Sequence, residues 1–188
     1  SNNSTTPNTY VMVPGDSPIK SLKDLVGKLV GVVNVTSAST IALQYVALQQ
    51  GISKDSFKFV TVPFANMADQ LKAGNIDAAV PVIPYSTVLE QAGYRSISTP
   101  TVEASQLSIN SDKSTNAFFI ANKTWAQQNP AIIAAWRAGL QDSIDWIAAN
   151  KAAALQLATQ MTDLPASVLE ASPLSTFAVA LSGDDFKS

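Results

Sequence analysis

Residues 33–40, Val-Asn-Val-Thr-Ser-Ala-Ser-Thr, place the hydroxyls of Thr36, Ser37, Ser39 and Thr40 where an apolar run gives way to a segment with helical spacing. A helix start carries backbone N–H groups without intrahelical partners, and the positive end of the helix dipole lies there. Clustered hydroxyls at such a point suit an anionic or strongly polar ligand group. An N-cap needs only one hydroxyl, so Ser37 or Ser39 could equally serve the helix alone. Tyr85 opens another helical segment after an apolar run, and Phe64 and Asn66 follow a third. Ligands of open α/β sheets bind at strand C-termini, so these three residues could face the same crevice. The competing reading is a half-buried Tyr85 that packs against the next helix.

The 188-residue chain has neither His nor Cys. Ser-His and Cys-His pairs, His general bases and nearly every zinc, copper or haem site are thereby excluded, so no catalytic residue, metal or cofactor is expected. Asp77 has no evident His or Lys partner and is expected to make a turn or cap bond. An enzyme built on these residues would need two converging carboxylates or a buried Lys. Trp125, Trp136 and Trp146 invite an aromatic cage. Trp136 and Trp146, however, fall on a long amphipathic pattern, and core packing is the expected role.

The elements that must position these residues alternate. Strands are expected over 10–13, 29–33, 57–62, 76–80 and 94–97, with helices over 21–25, then from Ile41 through Tyr45 and Leu48 after a Ser/Thr loop, then over 64–73 and 84–92. Gly51 should stop the second of these helices, and Ser21 and Asp24 suit the start of the first. Such alternation argues for βαβ crossovers and a mainly parallel sheet flanked by helices. A last strand is expected at Ala117-Phe118-Phe119-Ile120, after which the pattern is wholly helical, with a long helix from Pro130 and two more over 151–161 and 165–171. Ile132, Trp136, Leu140 and Ile144 form one apolar stripe on the long helix. The division expected is a disordered lead over 1–9, an α/β ligand-binding unit over 10–121 and a C-terminal helical segment over 122–188.

With 46% hydrophobic and 14% charged residues, the chain can bury one sizeable core or two small ones. A formal charge of −2 with scattered Lys and Arg offers nothing to a polyanion, so nucleic acid is not an expected partner. No apolar run approaches the ~20 residues needed to cross a bilayer, and the polar start implies that a signal peptide is either absent or already removed.

Several spaced motifs occur in one order: Ser17-Pro18-Ile19-Lys20-Ser21-Leu22-Lys23-Asp24-Leu25-Val26-Gly27-Lys28, then Gly51-Ile52, then Leu71-Lys72-Ala73-Gly74-Asn75-Ile76-Asp77-Ala78, then Pro84-Tyr85 with Gly93, then Trp125-Ala126-Gln127-Gln128-Asn129-Pro130 and Ala148-Ala149-Asn150. Over roughly residues 10–170 this resembles the ABC-transporter periplasmic solute-binding proteins of the sulfonate, nitrate and taurine type. The resemblance implies a type II periplasmic-binding-protein-like lobe from a two-lobed clamshell that presents its ligand to a membrane permease. It assigns Thr36, Ser37, Ser39 and Thr40 to the ligand loop and Tyr85 to the opposite rim. About a hundred residues that precede the first strand in that family, most of its first lobe, are missing. Val82 and Ile83 also stand where the family commonly has an aromatic and an acidic residue, which puts ligand class in doubt.

The resulting expectation is a substrate-binding component, or an isolated lobe of one, from an ABC importer, either periplasmic or extracellular and membrane-associated. It would hold a small polar or anionic solute such as a sulfonate or nitrate. The alternatives are an enzyme on the same scaffold using carboxylates or Lys, and a self-associating interaction module that forms a homo-oligomer through exposed C-terminal helices.

Overall fold

A computed structural model of the protein describes residues 6–111, 117–173, 177 and 179. The elements in chain order are β1 (Val11–Pro14), β2 (Leu29–Val32), α1 (Ala38–Gln49), β3 (Lys58–Thr61), α2 (Met67–Lys72), β4 (Ala78–Ala79), α3 (Tyr85–Gln91), β5 (Tyr94–Ser98), α4 (Pro100–Ile109), α5 (Lys123–Gln128), α6 (Pro130–Ala149), α7 (Lys151–Thr162) and α8 (Ala166–Ala171).

The strands lie in the order β3-β2-β4-β1-β5. β2 runs parallel to β3 and to β4, whereas β1 is antiparallel to β4 and to β5. Four of the five strands therefore share one direction, and the mainly parallel sheet is present with β1 as its single reversed member.

Period-2 alternation sends neighbouring side chains to opposite faces of the sheet. Val11, Val13, Val30, Val32, Ala78 and Val80 join Leu43, Val46 and Ala47 of α1 in one apolar cluster. Met12 and Ala79 join Val62, Met67, Leu71, Ile76 and Leu89 in the other. Both faces are thus covered, which explains the unbroken apolar runs of β2 and β4. Gly31 in β2 makes room for this packing, since a Cβ there would sit 2.6 Å from Ile76 Cδ1. Helix α1 ends as expected, with Gly51 at φ +77° just after it.

Two polar devices fix the loops at the far edge of the sheet. The Asp24 carboxylate accepts from Lys20 N, Ser21 N and Ser21 Oγ at 2.9–3.0 Å, and these bonds lower its pKa. The Arg95 guanidinium donates to the carbonyls of Gly15, Ser17 and Ile19 and so closes the turn after β1. Asp77 ties the starts of β2 and β4 together, for its Oδ2 accepts from Leu29 N and its N–H donates to Leu29 O, both at 2.8 Å. It makes a backbone bond, as expected.

Four sequence expectations need correction. Of the lead over 1–9, residues 1–5 lie outside the described residues, but Thr9 is buried and bridges Val82, and Asn8 O accepts from Ile83 N. The lead is ordered there because Thr9 and Val82 continue the antiparallel register of β1 on β4 past Met12 and Ala79. Residues 117–120 form no strand: Phe118, Phe119 and Ile120 are 71–84% exposed, and no ladder partner meets them. After β5 the chain instead forms α4, which packs on α1 and which the sequence reading did not foresee. Lastly, Trp125, Trp136 and Trp146 are 43–53% exposed rather than in a core. Helix α6 buries no residue; its packing neighbours are α5 and α7, which leave its apolar stripe partly open. No helix among the described residues is long and apolar enough to cross a membrane.

Candidate functional site

Because β2, β3 and β4 are adjacent and parallel, their C-terminal ends open onto one edge of the sheet. The loop after β2 carries Thr36, Ser37, Ser39 and Thr40, the turn after β3 carries Phe64 and Asn66, and the segment after β4 leads to Tyr85. All seven candidate residues thus gather at that edge. The reversed β1 starts there, and its approach residues Asn8 and Thr9 pin 82–83 through the pairings given above.

Helix α1 starts at this edge with Ser37 as N-cap, its Oγ accepting from Thr40 N at 3.3 Å. Asn34 organises the turn before it. Its Oδ1 accepts from Thr36 N and Thr36 Oγ1, both at 2.8 Å, and its carbonyl accepts from Ser37 N and Thr40 Oγ1. Asn34 was not among the expected site residues. Its signal is the preference of Asn for turns that bond their own backbone two residues on.

Proton counting shows how the hydroxyls are committed. A carbonyl can only accept, so Thr40 gives its proton to Asn34 O at 2.8 Å. Ser37 Oγ, 2.9 Å from Thr40 Oγ1, must then donate to it, and Ser39 Oγ, 2.9 Å from Ser37 Oγ, must donate to Ser37. The chain runs Ser39 to Ser37 to Thr40 to Asn34. Thr40 is fully buried and braces the loop from behind, whereas Thr36 is exposed and Ser37 half-buried. Ser39, at the head of the relay, is only 8% exposed, and turning its proton to a ligand costs a single internal bond. The N–H groups of Ala38 and Ser39 have no acceptor among the described residues and stand as fixed donors.

Beside this polar loop lies a ring shelf. Phe64 and Tyr85 stack with centroids 5.8 Å apart and ring planes 22° apart, a contact that favours a flat or apolar ligand portion. The Tyr85 hydroxyl and the Asn66 amide have no hydrogen-bond partner among the described residues. No Lys or Arg occurs in 34–40, 62–68 or 81–87, so these three segments offer dipoles and no cation. Ser98 and Thr99, at the end of β5, reach the same edge but are taken by Glu103, whose carboxylate accepts from Thr99 N at 2.6 Å and Ser98 Oγ at 3.1 Å. Ser98 and Thr99 are thereby committed to Glu103, whereas at the Ser37-capped start of α1 the N–H groups of Ala38 and Ser39 stay without acceptors among the described residues.

The edge is formed by one end of a single sheet. Hollows of about 310 and 440 Å³ lie elsewhere, one around Gly15 and Gly93 and one between α5 and α6 around Lys123, Ile133 and Arg137. Among the described residues no group of His, Cys, Asp or Glu could hold a metal ion.

Comparisons with known proteins agree with this fold. Residues 3–154 match the family described as NMT1/THI5 like. Among solved structures, the periplasmic aliphatic sulphonate binding protein SsuA from Escherichia coli is similar with a TM-score of 0.71 at 24% identity, covering 88% of this chain and 54% of that one. The alkanesulfonate-binding protein SsuA from Xanthomonas axonopodis pv. citri, bound to MOPS, gives 0.70 at 21% identity over 87% of this chain and 54% of that one. A DszB mutant in complex with biphenyl-2-sulfinic acid gives 0.52 at 15% identity over 87% and 60%. The chain spans about half the length of the first two structures. No curated protein sequence matches it.

Proposed function

Since the chain belongs to the NMT1/THI5-like family, we propose that it is the ligand-holding part of an ABC importer's solute-binding component, taking a small sulfonate or related polar anion and catalysing nothing. The observation that carries this reading is the convergence of three parallel strand ends, which brings an open helix start, a hydroxyl loop and a ring shelf to one edge. The anionic head sits at the N–H groups of Ala38 and Ser39 with Thr36, Ser37 and Ser39 around it, and the organic portion lies on Phe64 and Tyr85, with Asn66 at its side. Thr40 acts on the ligand through Ser37. A sulfonate suits this arrangement: its three oxygens accept several bonds, and its single charge needs no counter-cation when dipoles surround it.

The two similar SsuA proteins are a sulphonate binder and an alkanesulfonate binder, which supports this ligand class. The chain lacks His and Cys, and its edge carboxylate Glu103 is engaged in capping, which supports a binder over an enzyme. Function in the periplasm and delivery to a membrane permease follow from the same reading. Residues 10–121 hold the ligand, and the exposed apolar residues of 122–188 favour contact with other protein, a second copy of the chain included.

The test is isothermal titration of the purified chain, in a sulfonate-free buffer, with MOPS, ethanesulfonate, taurine and nitrate. Saturable binding of a sulfonate, weakened at least several-fold in a Ser37→Ala/Ser39→Ala variant, supports the reading. A single sheet end left open to water gives its polar contacts little net worth, so millimolar affinity is expected. Absence of binding at high millimolar ligand, or an affinity indifferent to the substitutions, overturns it.

A further inference from the structure

The C-terminal helices meet the ligand edge through a dry pair of hydroxyls. Ser172, which ends α8, places its Oγ 2.9 Å from Thr87 Oγ1 and 2.7 Å from the Val168 carbonyl, and both hydroxyl residues are buried. A serine has one proton to give. Ser172 Oγ is placed to donate to both the Val168 carbonyl and Thr87 Oγ1, so its single proton is shared between the two acceptors. Beside this pair Gln91 Nε2 donates to Ser167 O at 3.4 Å. Val168 is the one buried side chain of α8.

The pair matters for the edge because Thr87 lies two residues from Tyr85 in the first turn of α3. One side of α3 rests on the sheet through Leu89, and α8 packs on it as well. The apolar side would tolerate small slides of α3, since hydrophobic contact is non-directional. Two buried hydroxyls do not tolerate them. If α8 shifts, Ser172 keeps the carbonyl of its own helix but the buried Thr87 hydroxyl loses its partner with no water at hand, so the helices are either engaged in one register or released.

We infer that Ser172 is a positioning residue for the ligand edge, acting through Thr87 to hold α3, and with it the Tyr85 ring, in one register with α8. Docking of the C-terminal helices and binding at the edge are then linked, and by reciprocity a ligand that rests on Tyr85 tightens the attachment of α8. The ligand half of this statement rests on the solute-binding reading; the positioning half does not.

The experiment combines hydrogen exchange with titration on the full chain and on Thr87→Val, Thr87→Ser and Ser172→Ala variants. The first-turn amides of α3 are the reporters, with Thr87 N and Val88 N bonded to Pro84 O. Thr87→Val and Ser172→Ala are expected to speed their exchange at least tenfold, while Thr87→Ser, which keeps the hydroxyl, leaves it near wild type. Amides of α1 around Leu43 and Val46 should keep their rates. With MOPS as probe, Thr87→Val and Ser172→Ala should each weaken binding several-fold, and the double variant should be no weaker than either single one. Unchanged exchange in α3, or equal acceleration in α1, overturns the positioning role. If the wild-type chain takes neither MOPS nor the other sulfonates, the solute-binding reading falls, and the exchange data still decide whether Ser172 holds α3.

Discussion

Thr40→Val tests the proton relay behind the ligand loop. Valine nearly reproduces the shape of threonine, so the change removes one hydroxyl at a fully buried position and little volume. Lost with it are the 2.8 Å bond to Asn34 O and the 2.9 Å contact with Ser37 Oγ. Asn34 O keeps the Ser37 N–H at 3.2 Å, and Ser37 is half-buried and can turn toward water, so neither group is wholly orphaned. The net loss is therefore about 1–2 kcal/mol, between an ordinary hydrogen bond and a fully stranded partner. For a chain of this length that corresponds to a fall of roughly 2–8 °C in Tm. Thr40→Ser keeps the bond and loses a methyl group, about 1 kcal/mol. Urea denaturation of wild type, Thr40→Val, Ser37→Ala and the double variant closes a cycle in which neighbours sharing one network should couple by about 0.5 kcal/mol or more. A Thr40→Val protein as stable as wild type, with zero coupling to Ser37, refutes the relay.

The other expectations concern the shelf, the core, the turn after β1, the exposed helices and acid. Tyr85→Phe should keep the stack on Phe64 and most sulfonate affinity, whereas Tyr85→Ala should lose several-fold by titration; equal losses would shift the weight to the hydroxyl. Leu43→Ala, at a fully buried position, should cost about 3–5 kcal/mol in urea denaturation, and Arg95→Ala, which strands three carbonyls in a half-exposed turn, about 1–3 kcal/mol. Light scattering at high concentration should show self-association that Trp136→Asp reduces; a clean monomer would contradict the role given to the exposed apolar face. The pKa of Asp24 is lowered by its hydrogen bonds, so its contribution is present above the unfolded carboxylate range and lost as pH falls through the folded value. Asp24→Asn should thus be less stable than wild type at neutral pH and equal to it in strong acid.

The amino-acid sequence by itself determined the local features. Ser37 at a strand-to-helix junction reads as an N-cap and is one, Gly51 reads as a helix stop and is one, and apolar runs of strand length became β2 and β4 because both faces of the sheet are covered. These depend on neighbours within a few residues, and the bonds that enforce them are short in sequence. Even α4 was legible in principle, with Pro100 at its start and Glu103 three residues on, although its apolar spacing is weak. Tertiary structure alone decided the rest. The reversal of β1 is set by pairing with β4 and β5, some 67 to 87 residues away by the registers Met12↔Ala79 and Val11↔Ser98. The gathering of Phe64 and Tyr85 beside the hydroxyl loop requires β3 and β4 to flank β2, an order that periodicity does not carry. Among four hydroxyls of one type, burial turned Thr40 into a brace and left Thr36 in solvent. The stripe through Ile132 and Trp136 shows the same division from the other side: helical spacing makes an apolar face, but only a partner surface makes a core, and none of the described residues supplies enough of one to bury it.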